Sequence, residues 1–231
     1  MVCRSWPARS AILPGVSHRP DLVLASASPR RRELLLSVGL VPAVEPVDID
    51  ESVVAGEGVR DYVARMAEEK SAAALARLGR PELAVLAADT VVALGDMILG
   101  KPADADAAAA MLRQLSGHQH EVLTAYRIQF GERRLGRLVV THVHVRSLDA
   151  HELTAYLAAG EWRGKAGGYA IQGIAGSFVT EVRGSVTNVI GLPLAEVLAD
   201  LRALEALPRY PPPAFGTGLE LGAPAICSDN R

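Results

Sequence analysis

With 231 residues, 49% of them hydrophobic, and a formal charge of −2, the chain can bury about 70% of its unfolded surface as one large α/β domain or two small lobes. That charge balance carries no basic excess that would argue for nucleic acid as a partner. No apolar run approaches the roughly 18 residues of a membrane span. The two cysteines, Cys3 and Cys227, lie at opposite ends, form no disulfide framework and read as thiols of a cytoplasmic protein.

Residues 1–20 hold three arginines and no acid, and they are expected to be a disordered extension. Pro211-Pro212-Pro213 and scattered glycines mark residues 208–231 as a Pro/Gly-rich tail, which leaves 21–207 as the domain. The domain opens on Leu22-Val23-Leu24-Ala25, a short buried strand. Ser28 stands where a helix N-cap belongs and Pro29 at the first helical position, where its missing N–H costs nothing. Leu34, Leu35 and Val38 follow at helical spacing, with Gly39 as the stop. Arg30, Arg31 and Arg32 break the local rule, because the first turn of a helix carries a partial positive charge and prefers acids. An anion bound there makes sense of them: free N–H groups, the Ser26 and Ser28 hydroxyls and guanidinium forks together suit a polyphosphate. On that reading the arginines can be removed without destabilising the empty protein. An exposed basic turn with ordinary capping is the plainer alternative.

Further along, the pattern predicts a helix from about Val59 to Leu78 and a buried strand from Ala84 to Val92. Beyond a turn at Gly95-Asp96 come a helix from Asp104 to Leu115 and two long strands joined near Gly131-Glu132. Asp149 starts another helix, the glycine-rich stretch from Gly160 to Gly191 is expected to hold short strands, and a last helix runs from Leu194 to Leu204. Strands alternate with helices but a hairpin intrudes, so the fold class is α/β with a mixed sheet.

Asp89 is the second strong signal, a carboxylate in the apolar strand Ala84-Val85-Leu86-Ala87-Ala88-Asp89-Thr90-Val91-Val92. Such a group is expensive unless paired, hydrogen-bonded or metal-bound. Glu51 offers a second carboxylate or a merely solvated loop position. Acids beside a polyphosphate point to Mg²⁺ or Mn²⁺. The segment Gly95 to Lys101 has P-loop spacing, but Pro102 replaces the metal-binding hydroxyl, so only Lys101 remains of interest, as a single cation. His142 and His144 alternate with valines on one strand face, and neither they nor His118 and His120 make a convincing zinc site. In Lys165-Ala166-Gly167-Gly168-Tyr169-Ala170-Ile171-Gln172-Gly173 dense glycines allow close backbone approach, and the Gln172 amide can read a base edge; a tight turn with an incidental Gln is the other reading.

Taken in order, Ala25-Ser26-Ala27-Ser28-Pro29-Arg30-Arg31, Ala88-Asp89-Thr90-Val91-Val92, Gly100-Lys101-Pro102, Leu115-Ser116-Gly117, Lys165-Ala166-Gly167, Ile171-Gln172-Gly173 and Val189-Ile190-Gly191-Leu192-Pro193-Leu194 resemble the Maf family of nucleoside triphosphate pyrophosphatases. The resemblance implies a mixed twisted sheet flanked by helices, two lobes and a central cleft, of the Maf/ITPase-like kind, usually in a homodimer. It implies hydrolysis of the α–β anhydride of a nucleoside triphosphate with a divalent metal, Mg²⁺ or Mn²⁺. It implies Asp89 as proton acceptor, phosphate contacts from Ser26, Arg30, Arg31, Lys70 and Lys101, and Glu51 with Asp89 at the metal. Arg30, Thr90 and Gln172 match the pattern of the dTTP/UTP type at the specificity positions. A nucleotide- or nucleic-acid-binding regulator of cell division without catalysis is the alternative, and a buried base beside phosphate-binding arginines argues against it.

Overall fold

An apolar run without alternation, such as Ala84 to Ala88, makes a strand covered on both faces, and this strand is the axis of the molecule. The computed structural model describes residues 22–207, so the two tails lie outside the described residues. The strands are β1 (Leu22–Leu24), β2 (Ala43–Val44), β3 (Ala84–Leu94), β4 (Met97–Leu99), β5 (Gln119–Phe130), β6 (Arg133–Val145) and β7 (Val179–Arg183). They form one sheet in the order β2-β1-β3-β5-β6-β7, with β4 beside β3. β1 runs parallel to β2 and β3, and every other pairing is antiparallel, so the sheet is mixed as expected.

Side-chain alternation along β3 sorts the helices. Val85, Ala87, Val91 and Ala93 face α2 (Val59–Leu78), which covers them with Val63, Met66 and Ala74. On the other face Ala84, Leu86 and Ala88 pack against α1 (Pro29–Ser37) and α6 (Leu194–Ala203). Val92, further along that face, joins a separate cluster with α3 (Ala105–Leu115) and α4 (Ala150–Ala159).

Helix limits follow the capping chemistry. Asp104 accepts the Ala107 N–H at 2.8 Å, and Asp149 and Glu152 form a reciprocal capping box. Ser28 holds the N-cap position of α1, but its hydroxyl caps nothing. The stretch expected to contain short strands holds only β7; the rest is two 3-10 turns, Ala166–Gly168 and Ile174–Phe178, and α5 (Val186–Ile190). Gly164, Gly167 and Gly168 adopt φ of 67°, 67° and 71°, values a strand does not use.

α6 is fastened to the sheet by a closed ionic group. Asp200 accepts the Tyr126 hydroxyl at 2.6 Å and Arg137 Nε at 2.9 Å, and Arg137 Nη2 bonds its second oxygen.

Candidate active site

β1 pairs with β3 only as far as Leu86, and β4 only from Val92 onward. Between them, residues 87–91 pair with β5 alone. The sheet is therefore forked, and a cavity of about 530 Å³ opens in the fork. That volume suits a small-molecule ligand. Because neighbours on a strand point to opposite faces, Asp89 turns toward α2 and Thr90 toward α1 and α5, yet both line this cavity.

On the α2 side, Lys70 Nζ stands 2.7 Å from Asp89 Oδ1 and 2.6 Å from Glu51 Oε1. The lysine is buried in the helix face and the two carboxylates close over it. Its hydrogen bond holds the Glu51 carboxyl below the usual carboxylate range, against the opposing effect of burial. Tyr62 secures the Glu51 loop by donating its hydroxyl to the Glu51 carbonyl at 2.9 Å. Lys70 thus faces the cavity already paired with both acids.

On the α1 side lies the serine–arginine motif. Ser26 Oγ accepts the Ser28 N–H at 3.2 Å and Arg31 Nη1 at 2.9 Å. With both lone pairs taken, its own proton is left to donate into the cavity. The expectation that Arg30 and Arg31 can be removed without destabilising the empty protein is corrected at Arg31. This side chain is buried and donates to the Gly191 carbonyl (2.8 Å), Ser26 Oγ (2.9 Å) and Thr90 Oγ1 (3.0 Å). Three of its five N–H groups are spent on the fold, so removing it strips internal bonds as well as ligand contacts. Burial lowers its pKa from the usual guanidinium value, the Asp89 charge opposing. Arg30 fits the expectation better, being half-buried with one 3.3 Å bond to the Ile190 carbonyl.

The remaining wall carries Lys101, exposed on the loop after β4, and Gln172, exposed beyond the first 3-10 turn. These two segments are joined by main chain: the Gly167 N–H donates to the Gly100 carbonyl at 3.0 Å. A Cβ on Gly167 would stand 3.0 Å from Val92 Cγ1, and the left-handed φ there already favours glycine. All of the expected site residues, Ser26, Arg30, Arg31, Glu51, Lys70, Asp89, Thr90, Lys101 and Gln172, line the one cavity.

One residue the sequence reading did not assign is Lys165. Its pKa is lowered by burial and then by the charge of Arg30, so it adds to the positive field over the start of α1. Its signal was its place ahead of the glycine turn. His142 and His144 lie on the outer face of β6 while Val143 and Val145 are buried, as the alternation implies. His120 is buried with Nε2 2.7 Å from the Tyr169 hydroxyl, and burial pushes its pKa down to about 4. Among the described residues no three His, Cys, Asp or Glu side chains form a metal cluster. No described helix is long and apolar enough to cross a membrane.

Comparison with known proteins places the chain in a family. The family model described as Maf-like protein matches residues 21–204. A dTTP/UTP pyrophosphatase of Cereibacter sphaeroides is 54% identical over 190 residues, 82% of this chain and 97% of that protein. Another from Anaeromyxobacter dehalogenans is 54% identical over 187 residues, 79% of this chain and 93% of its own length. A solved nucleoside-triphosphatase/dITP/XTP pyrophosphatase of Mycobacterium abscessus covers 81% of this chain and 98% of its own at 20% identity and a TM-score of 0.39, a likeness too distant to carry an argument.

Proposed function

The chain belongs to the Maf family, and we propose that it is a nucleoside triphosphate pyrophosphatase, hydrolysing the α–β anhydride of dTTP and UTP to monophosphate and pyrophosphate. The observation that carries this reading is one cavity with a carboxylate–lysine–carboxylate group, centred on a buried lysine, on one side and a serine–arginine anion cradle on the other. The names of relatives 54% identical over most of their length support the substrate.

In this reading Ser26, Arg30 and Lys101 bind phosphate oxygens directly, and the two N–H groups left on Arg31 join them. Asp89 takes the proton from the attacking water. Lys70 orients Asp89 through their 2.7 Å contact and adds its charge to the phosphate field rather than leaving the carboxylates. Lys165 extends that field. Gln172 reads the pyrimidine edge, with Arg30 contributing to specificity.

The donor set fits a hard divalent ion. Glu51 and Asp89 already share one cation, and two carboxylates completed by phosphate oxygens and water are a usual set for Mg²⁺ or Mn²⁺. Glu51 and Asp89 would hold it. Bound there, it supplies charge neutralisation on the leaving pyrophosphate. The protein acts on free nucleotides in the cytoplasm as a homodimer, with no membrane or stable nucleic-acid partner.

Incubating the pure protein with dTTP and UTP and resolving the products tests the reading. Pyrophosphate and monophosphate are expected, with activity lost on chelation. Orthophosphate as the primary product would remove the assignment.

A further inference from the structure

A polar chain leads from Thr90 at the cavity to the arginines of α1 by way of buried residues, and the reaction above makes no use of its inner members. Thr90 is in register with Thr124 on β5, and their hydroxyls are 2.9 Å apart. Thr124 is fully buried and also donates to the Asn188 carbonyl at 3.3 Å. Asn188, fully buried in α5, donates its amide to the Val122 carbonyl at 2.9 Å and to the Thr141 hydroxyl at 3.0 Å. Thr141 in turn accepts the Ser185 N–H at 3.1 Å. Side chains of β5 and β6 therefore pin α5 in place. From the end of α5 the Ile190 and Gly191 carbonyls receive the Nε groups of Arg30 and Arg31.

Counting protons locates Thr90 within this chain. If Thr124 donates to the Asn188 carbonyl, its only proton is spent, and Thr90 must donate to Thr124 while accepting Arg31 Nη2. If Thr124 donates to Thr90 instead, Thr90 donates to the Gly191 carbonyl at 3.3 Å. In both arrangements the Thr90 proton stays inside the protein. Hydroxyls at fully buried strand positions are costly unless paired, and valine would serve the sheet as well. What the threonines add is a fixed acceptor for Arg31.

We propose that Thr124 and Asn188 are positioning residues that set the Arg31 guanidinium for the triphosphate through Thr90 and α5, and that Thr90 acts through Arg31 rather than by touching the base. This rests on the cavity being a triphosphate site.

Thr124→Val keeps the shape and removes the hydroxyl, and Thr124→Ser restores it. In folded Thr124→Val, kcat/KM for UTP falls about 10-fold, chiefly through KM, the upper end of the scale for a lost neutral hydrogen bond. The dissociation constant for inorganic tripolyphosphate, measured by calorimetry, rises about fivefold on the same basis. Thr124→Ser recovers both to within about threefold, and the UTP-to-GTP ratio is unchanged in either variant. Ile128→Val, a buried trim on the same strand outside the chain, leaves both constants alone. If Thr124→Val does not fold, Thr124→Cys, similar in size with only a weak donor, is read the same way. Unchanged tripolyphosphate affinity in Thr124→Val overturns the proposal, and so does failure of Thr124→Ser to recover it. An altered base ratio at constant tripolyphosphate affinity also overturns it, since Thr90 then reads the base itself. If the parent protein hydrolyses no triphosphate yet tripolyphosphate binding weakens in Thr124→Val, the positioning role stands and the pyrophosphatase reading falls.

Discussion

Two ionic groups of this molecule use similar parts to opposite ends. Asp200 at the α6 face and Asp89 in the forked strand are both carboxylates held by a cation at hydrogen-bond distance. Asp200 has three protein donors on its two oxygens, and its side chain is 4% exposed. Among the described residues Asp89 has one donor, Lys70, shares it with Glu51, and lines a cavity. A carboxylate whose bonding capacity is used up locks an element in place. One that is paired but not filled keeps capacity for water, a cation or a proton. The difference lies in the donor count, not in burial alone.

Breaking the open group has the largest expected effect. Asp89→Asn preserves shape but removes basicity, so kcat for dTTP should fall by roughly 10²-fold or more while nucleotide affinity persists. Near-normal kcat would place Asp89 with Asp200, as a structural residue.

Breaking the closed group should move stability and spare kcat. Asp200→Ala leaves the Tyr126 hydroxyl buried without its acceptor, a loss of about 2 kcal/mol in urea unfolding. Hydrogen bonds from Arg137, then from Tyr126, hold Asp200 below its ordinary value of 3.8, with burial opposing. A depressed carboxylate stabilises fully above the unfolded value and loses that contribution as pH falls through the native one. The wild-type melting temperature should therefore drop below pH 3.8 by more than that of Asp200→Asn.

The smallest effect sharpens the open side. Gln172→Glu removes a donor and adds charge, so the UTP-to-GTP ratio of kcat/KM should shift toward GTP by roughly 10-fold. An equal loss on both substrates would assign Gln172 to phosphate or backbone instead.

Most of the fold was legible because its boundaries obey local rules. α2 runs Val59–Leu78 as the pattern predicts, and Asp104 and Asp149 announce the helices that follow them. The glycine-rich stretch was not legible in the same way: residues that permit left-handed φ carry no periodicity, so strand and 3-10 turn look alike in sequence. β2, two exposed residues, owes its existence to its neighbour β1. At the site, residues that announce themselves by charge in an apolar setting, Asp89, Arg30 and Arg31 above all, line the cavity. The internal commitments of Arg31 did not, since Gly191 lies 160 positions away in the chain and a carbonyl has no sequence signature. Thr124 carried a readable signal, a hydroxyl within the apolar run Val122-Leu123-Thr124-Ala125, of the same kind that marked Asp89.

The hydrogen bond from Gly167 to the Gly100 carbonyl makes the cleft behave as a caliper with riveted jaws. One jaw carries Lys101 and the other leads to Gln172, and the rivet is peptide to peptide. Exchanging side chains on either jaw alters what is gripped but not the span, so the two walls can diversify while the reach between them is kept. A side chain at position 167 would push on Val92 and strain the turn, so the rivet itself requires glycine.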